Sequence, residues 1–460
     1  MLDQERIHAI FSRIKKASSA DEVEAIIAGG HSALTRFANN TIHQNVAEEC
    51  YVISIRVAMD GKTARATTNR IDDESLRRAV ASAEQLARVQ APDADLLPPP
   101  SRDEAQLTSR VNRHFDATAS IGAEDRAAAV EQIVKVAKKH NQTTAGIYSS
   151  SDHVEALLNS RGVAHIHRQT SAEVSVTMLA ADSSGWQKAN FPDVTKLQPR
   201  ALAEVAAEKA SSSAHPREVP PGKYTVVLEP AAVLDLLGFM FFDFGGTALL
   251  EQRSFLNNRV GTRLFGENVT IHDDVYHPLQ SGAAFDGEGM PRQRVTLVDK
   301  GVVQNLVYAR ATAAKMRKSE LAAKVGQIVP TGHGFPLPNE IGDAPMNIVV
   351  AGGNGQSQSI DQMIASTERG ILITRLWYIR EVDPYEKILT GMTRDGTFLI
   401  ESGKLACGAR NFRFNQSLVE MLQNVEVLGE AVRASGEESF DMVVPAMKIN
   451  NFNFTEITKF

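Results

Sequence analysis

Two stretches of this 460-residue chain carry side chains that could bind a metal or move a proton. HDDVYH places His272, Asp273, Asp274 and His277 within six residues, directly after a strand-like segment. Imidazole and carboxylate in that density are zinc-type donors, and His272, Asp273 and His277 are the ligands such a site would use. Paired aspartates before Pro278 are equally the ordinary chemistry of a turn. HIH (His165 and His167) alternates along a strand-like run, which puts both rings on one face. TGHGFP (331–336) and AGGNGQSQS (351–359) are glycine-rich, yet neither is followed by the Lys-Ser/Thr of a phosphate cradle. Neither a GxSxG elbow nor an HExxH helix occurs. Cys50 and Cys407 form no CxxC and cannot make a disulfide framework, so both read as buried free thiols.

The most apolar stretch, VLDLLGFMFFDFGG (233–246), is interrupted only by Asp235 and Asp243. It is shorter than the roughly 18 to 20 apolar residues a bilayer requires, and the two acids argue further against a membrane. A hydrophobic share of 43% and a charged share of 23% are those of a soluble globular protein. The N-terminus carries early acids and no apolar core of a signal peptide, so the cytoplasm is the expected location. A net charge of −6 without a dense basic block disfavours nucleic acid as a direct partner.

Two proline-rich seams, APDADLLPPPS (91–101) and SSSAHPREVPPGKY (211–224), divide the elements that must position these residues. They imply an N-terminal α+β domain at 1–100, a middle domain at 101–218 and a β-rich domain at 219–460. The first block opens with a helix (Ile7, Ile10, Phe11, Ile14), continues through a hairpin turning at Asp60-Gly61, and ends in a helix capped by Asp72 or Asp73. The middle block has a helix over 123–139, strand-like runs and an alanine-rich helix from Arg200. The third begins with the strand YTVVLEP and becomes a series of short strands, the pattern of a curved sheet, sandwich or barrel. The fold class is α+β, with mixed sheets and helices in the first two regions.

In the third block, VTIHDDVYHPLQSGAAFDGEGMPRQRVTLVDKGVVQNLVYARATAAKM runs on to PTGHG. IASTERGILITRLWYIREVDP and TGMTRDGTFLIESGKLACGARNFRFNQSLVEMLQNVEVLG follow. With ALTRFANNTIHQN and NSRGV (159–163) earlier, these segments resemble the TldD/PmbA family over nearly the whole chain, most closely its PmbA (TldE) type. The resemblance implies a cytosolic dimer that cleaves unfolded peptides. Its TldD-type subunit holds zinc through HExxxH and a C-terminal cysteine, and the Glu of that motif is the base.

Aligned through VVLEP, that motif falls here on Gly238, Phe239 and Asp243, or with a one-residue slip on Phe239, Met240 and Phe244. No histidine lies between His215 and His272, and no cysteine follows Cys407, which precedes RNFRFNQS where the family's ligand follows it. The implied chain therefore has no catalytic residues and no metal of its own. Zinc is expected only in a TldD-type, HExxxH-bearing partner, and the helix over 233–244 should be apolar all round and buried, with Asp243 hydrogen-bonded. Asp286, Glu288, Arg375, Arg413 and Asn415 are candidates for lining a peptide cleft. Two alternatives stand beside this reading. One is a peptide-binding or scaffolding homodimer without proteolysis; the other is a hydrolase whose metal has moved to His272, Asp273 and His277.

Overall fold

The computed structural model describes residues 1–352 and 356–458. Gly353, Asn354 and Gly355 of the AGGNGQSQS run lie outside the described residues.

Six strands build the first sheet: β1 (Glu22–Ala38), β2 (Thr41–Met59), β3 (Lys62–Thr68), β4 (Thr143–Asn159), β5 (Ala164–Leu179) and β6 (Ser184–Phe191). Their order is β3-β2-β1-β4-β5-β6 and every neighbour is antiparallel, so one sheet continues across the proline-rich seam at 91–101. The hairpin turn expected at Asp60-Gly61 is present, with both residues at positive φ as a tight β-turn demands. Asp72 is the helix cap and accepts the Ser75 N–H at 2.9 Å.

Odd-numbered residues of β1 face two helical layers laid side by side. Val23, Ala25 and Ile27 pack with the helices Gln4–Ala17 and Asp73–Val89. Phe37 packs with the helices Ala123–Lys139 and Pro199–Ser212. Each pair presents its apolar stripe, Ile7, Ile10 and Ile14 in one case and Val130, Ile133 and Ala137 in the other, so each half of the sheet has its own core. The cysteines depart from expectation. Cys50 is exposed because β2 runs past the short β3 and its 41–50 portion is open to solvent; Cys407 is half-buried.

The third block folds as two sheets around one core. Its strands are β7 (Gly222–Leu228), β8 (Ile271–Asp273), β9 (Val295–Asp299), β10 (Val302–Val303), β11 (Ile348–Val350), β12 (Arg369–Asp383), β13 (Ile388–Glu401), β14 (Lys404–Gly408), β15 (Phe412–Ser417), β16 (Val425–Leu428), β17 (Val432–Ala434), β18 (Met442–Val444) and β19 (Met447–Ile457). One sheet has the order β10-β9-β8-β11-β18-β17, and the other β12-β7-β19-β15-β13-β14 with β16 beside β19. Val226, Leu228, Ile371 and Ile373 of the second share a hydrophobic core with Ile271, Leu297, Val298 and Ile348 of the first. The architecture is α+β throughout. Among the described residues, no helix is long and apolar enough to cross a membrane.

Midway along β1, Gly29 adopts φ +137°, and a Cβ there would lie 2.1 Å from the Cys50 carbonyl oxygen. Gly29→Ala therefore forces β1 away from β2, and urea unfolding should show a loss of about 2 kcal/mol or more.

Candidate functional site

β7 leads directly into the helix Pro230–Leu237, with proline in its first turn where no N–H is needed. Its Val233, Leu234, Leu236 and Leu237 are wholly buried in the core shared by the two sheets. The stretch is not one uniform helix. At Gly238 it tightens to a 3₁₀ turn that runs to Phe244, and Phe242 is 44% exposed rather than buried. Only glycine fits at 238, because a Cβ there would lie 1.9 Å from Ser439 Oγ.

Each acid of this apolar stretch is tied to a segment remote in sequence. Asp235 accepts the N–H groups of Glu437 and Glu438 at 3.2 and 3.0 Å, which holds the loop 435–439 against the helix. Burial first, and the neighbouring Glu438 carboxylate, push its pKa up to about 7. The other side of that loop is gripped from the first sheet: Lys188 of β6 donates to the Gly436 carbonyl at 3.0 Å and pairs with Glu173 at 3.4 Å. Asp243 forms a 2.5 Å ion pair with Lys387 and accepts the Phe255 N–H at 3.1 Å. Burial raises its pKa, and the Lys387 ammonium works against that rise. Lys387 also pairs with Glu381 at 2.7 Å and reaches the Phe239 carbonyl at 3.3 Å.

The five candidate cleft residues occupy three places. Asp286 and Glu288 lie together in a loop that meets the first sheet. Asp286 accepts the N–H groups of Glu288, Met290 and Gly334 within 2.7–2.9 Å. Glu288 accepts the Arg310 N–H at 2.9 Å, and burial followed by the charge of Asp286 raises its pKa to about 7. Glu288 also lines a cleft of about 960 Å³, together with Phe242, Leu97, Pro338 and Ile341. Arg375, on β12, pairs with Asp395 at 2.7 Å and packs over Trp186 and Trp377 at 4.6 and 5.2 Å. Arg413 and Asn415 are on β15, where Arg413 pairs with Glu456 at 3.1 Å and the Asn415 carbonyl accepts from Asn453. Among the described residues, no hydrogen bond or ion pair links these last three to the Asp286–Glu288 pair.

HDDVYH does not converge on a metal. Successive strand residues face opposite ways, so His272 turns its Nδ1 to Thr296 Oγ1 at 3.2 Å while Asp273 enters the core. There Asp273 meets His333 Nε2 at 2.9 Å, both side chains fully buried, and accepts the N–H groups of Met346 and Asn347. His277 spends its Nδ1 on the Leu279 N–H. The reading of His272, Asp273 and His277 as one ligand set is thereby corrected. Among the described residues, no group of three or more His, Cys, Asp or Glu side chains is placed to hold a metal ion. The HIH pair packs between sheet and third block: His165 meets the Gly289 carbonyl at 3.1 Å and the Phe285 ring at 5.2 Å. Burial lowers the pKa of His165 and of His167. Nothing near Asp235 and Asp243 in the sequence points to Lys387 or to the loop 435–439; an acid in an apolar run signals only that a partner must exist.

Three family models match in order: PmbA/TldA metallopeptidase domain 1 over residues 23–87, the central domain over 116–214 and the C-terminal domain over 221–456. A protein of Methanothermobacter thermautotrophicus named "Metalloprotease" is 24% identical over 313 residues, 63% of each chain. An uncharacterized protein of Methanocaldococcus jannaschii is 31% identical over 158 residues, 33% of this chain and 36% of that one. The chain thus spans less than two-thirds of the length of these curated relatives. Among solved structures, a putative modulator of a DNA gyrase from Thermotoga maritima superposes with a TM-score of 0.83 at 19% identity, covering 98% of this chain and 100% of that one. TldE from Thermococcus kodakarensis gives 0.82 at 18% identity, with the same coverage.

The raised pKa of Asp235 has a thermodynamic consequence. An unfolded aspartic acid titrates near 3.9, the folded one near 7. Across that window the folded chain holds a proton on Asp235 that the unfolded chain has released, so this group's contribution to stability falls as pH rises from about 4 to 7. Asp235→Asn keeps an oxygen for both N–H donors and removes the titration. Its urea midpoint, compared with wild type across this range, should lack that share of the decline.

Proposed function

The chain belongs to the PmbA/TldD metallopeptidase family, and from that premise we propose that it is the non-catalytic, PmbA/TldE-like subunit of a TldD-type zinc peptidase acting on unfolded peptides. The reading is carried by the residues at the three motif positions. Peptide hydrolysis at zinc needs neutral imidazole or thiolate donors, an open position where bound water drops to a pKa of about 7, and a carboxylate to take its proton. Gly238 has no side chain, and Ser439 fills the space where one would be. Phe239 packs against the hydrophobic core and has no basic atom. Asp243 is committed to Lys387 and the Phe255 N–H. This donor set does not fit a zinc ion.

The contribution left to such a subunit is to complete the dimer and hold peptide. The cleft beside Phe242 and Glu288 offers apolar surface with an acidic wall, and unpaired strand edges can take an extended backbone without reading its sequence. Zinc and the catalytic base belong, in this reading, to an HExxxH-bearing partner in the cytoplasm.

Affinity capture of the tagged chain from its native cell tests this directly. The expected result is co-purification of an HExxxH-bearing homologue, zinc that follows that partner, and cleavage of an unfolded peptide by the pair but not by this chain alone. Recovery of the chain only with itself would favour the scaffolding homodimer and sink the subunit reading. Stoichiometric zinc in the isolated chain, removed by His272→Ala, would overturn it from the other side.

A further inference from the structure

We infer that the Asp243 carboxylate, the Glu381 carboxylate and the Phe239 carbonyl form an oxygen-lined cation site, and that the Lys387 ammonium is its permanent occupant. The inference rests on the reading above, in which this stretch binds no metal, and names what takes a metal's place.

An ammonium has three protons to donate, and three oxygens meet Lys387 Nζ, at 2.5 Å (Asp243), 2.7 Å (Glu381) and 3.3 Å (Phe239). The Phe255 ring adds a fourth side, its centroid 5.6 Å from the nitrogen. The lysine is only 4% exposed, a burial that its charge tolerates only when fully partnered. Its backbone is also held at φ +48°, in the left-handed region that side-chain-bearing residues rarely adopt. That conformation closes the β12–β13 hairpin, whose turn is built by Asp383 accepting the N–H groups of Tyr385 and Glu386. The chain accepts an unfavourable backbone at 387, and there the side chain enters the core beside Asp243. Two of the three oxygens, the Asp243 carboxylate and the Phe239 carbonyl, come from the stretch that aligns with the metal motif. A charged ammonium in their midst repels any metal ion that approached them.

With the ammonium removed, two carboxylates and a carbonyl remain, with Glu381 partly open to water. That is an oxygen set suited to a hard divalent cation such as calcium. Thermal unfolding of wild type, Lys387→Met and Lys387→Met/Asp243→Asn, each in millimolar calcium chloride or in EDTA, tests the assignment. The expected result is a lowered midpoint for Lys387→Met in EDTA, raised by several degrees with calcium. Wild type should not respond, and the double variant should be more stable than the single in EDTA and indifferent to calcium. An equal calcium response in wild type and Lys387→Met, or a double variant no more stable than the single, would overturn the inference. Should Lys387→Met fail to fold alone, its refolding yield from urea with calcium against EDTA is read instead, and a yield that calcium leaves unchanged counts against the inference. None of these outcomes depends on the zinc content or partners of the wild-type chain, so this inference and the subunit reading fail separately.

Discussion

A carboxylate buried in hydrocarbon must find hydrogen-bond donors or a counter-charge, and the third block is organised around two of them eight residues apart in one apolar stretch. Asp235 recruits the loop 435–439 and Asp243 recruits the β12–β13 hairpin. Each contact joins segments far apart in the chain, and each adds to what apolar packing alone supplies. Leu, Val and Phe fill the space between the two sheets without fixing which loop lies over which turn of the helix. The acids are the specific element: one position accepts paired backbone N–H groups, the other an ammonium.

A similar device joins the first sheet to the third block, with arginine as donor. Arg65 of β3 donates to the Leu337 carbonyl at 2.7 Å while pairing with Glu24 at 2.7 Å. Arg113 donates to the Val275 and His277 carbonyls, and Arg433 of β17 to the Asn190 and Leu279 carbonyls while pairing with Asp441 at 2.8 Å. A guanidinium presents several donors in one plane, so one side chain can serve backbone on both sides of a junction. Burial lowers the pKa of Arg65, Arg113 and Arg433, which is the cost of placing them there. The three stretches matched by separate family models therefore pack as one body, and the cleft lined by Glu288, Leu97 and Phe242 is shared between the linker after the first block and the third block.

Local chemistry was legible in the sequence, and distant pairing was not. The isoleucine spacing of the first helix, the Asp72 cap and the Asp60-Gly61 turn are each settled within a few residues, and they appear where the pattern put them. Asp243 carried the expectation of a hydrogen-bonded partner, since an isolated acid in an apolar run is too costly to leave alone, and the same holds for Asp235. Nothing near them said which partners, because Lys387 and the N–H groups of 437 and 438 come from other elements. The dense HDDVYH run misled for the same reason. Six residues hold four potential ligands, but strand alternation sends them apart, and the buried partner of Asp273 is His333 from the TGHG stretch. Phe242 shows the limit of reading burial from composition: the apolar pattern predicts a covered ring, and the 3₁₀ turn swings it into the cleft.

That exposed ring belongs to a stretch otherwise packed between the two sheets. A metal site needs room: an open coordination position, a water and a base that moves a proton. Here the room at position 238 is taken by Ser439, the charge at 243 is answered by Lys387, and Phe239 packs against core. Such a stretch is closely packed where a catalytic one must stay accessible. Phe242 and Ile341 are exposed at the cleft that Glu288 also lines. The two acids that anchor the stretch thus also fix the backbone from which Phe242, its one exposed ring, projects.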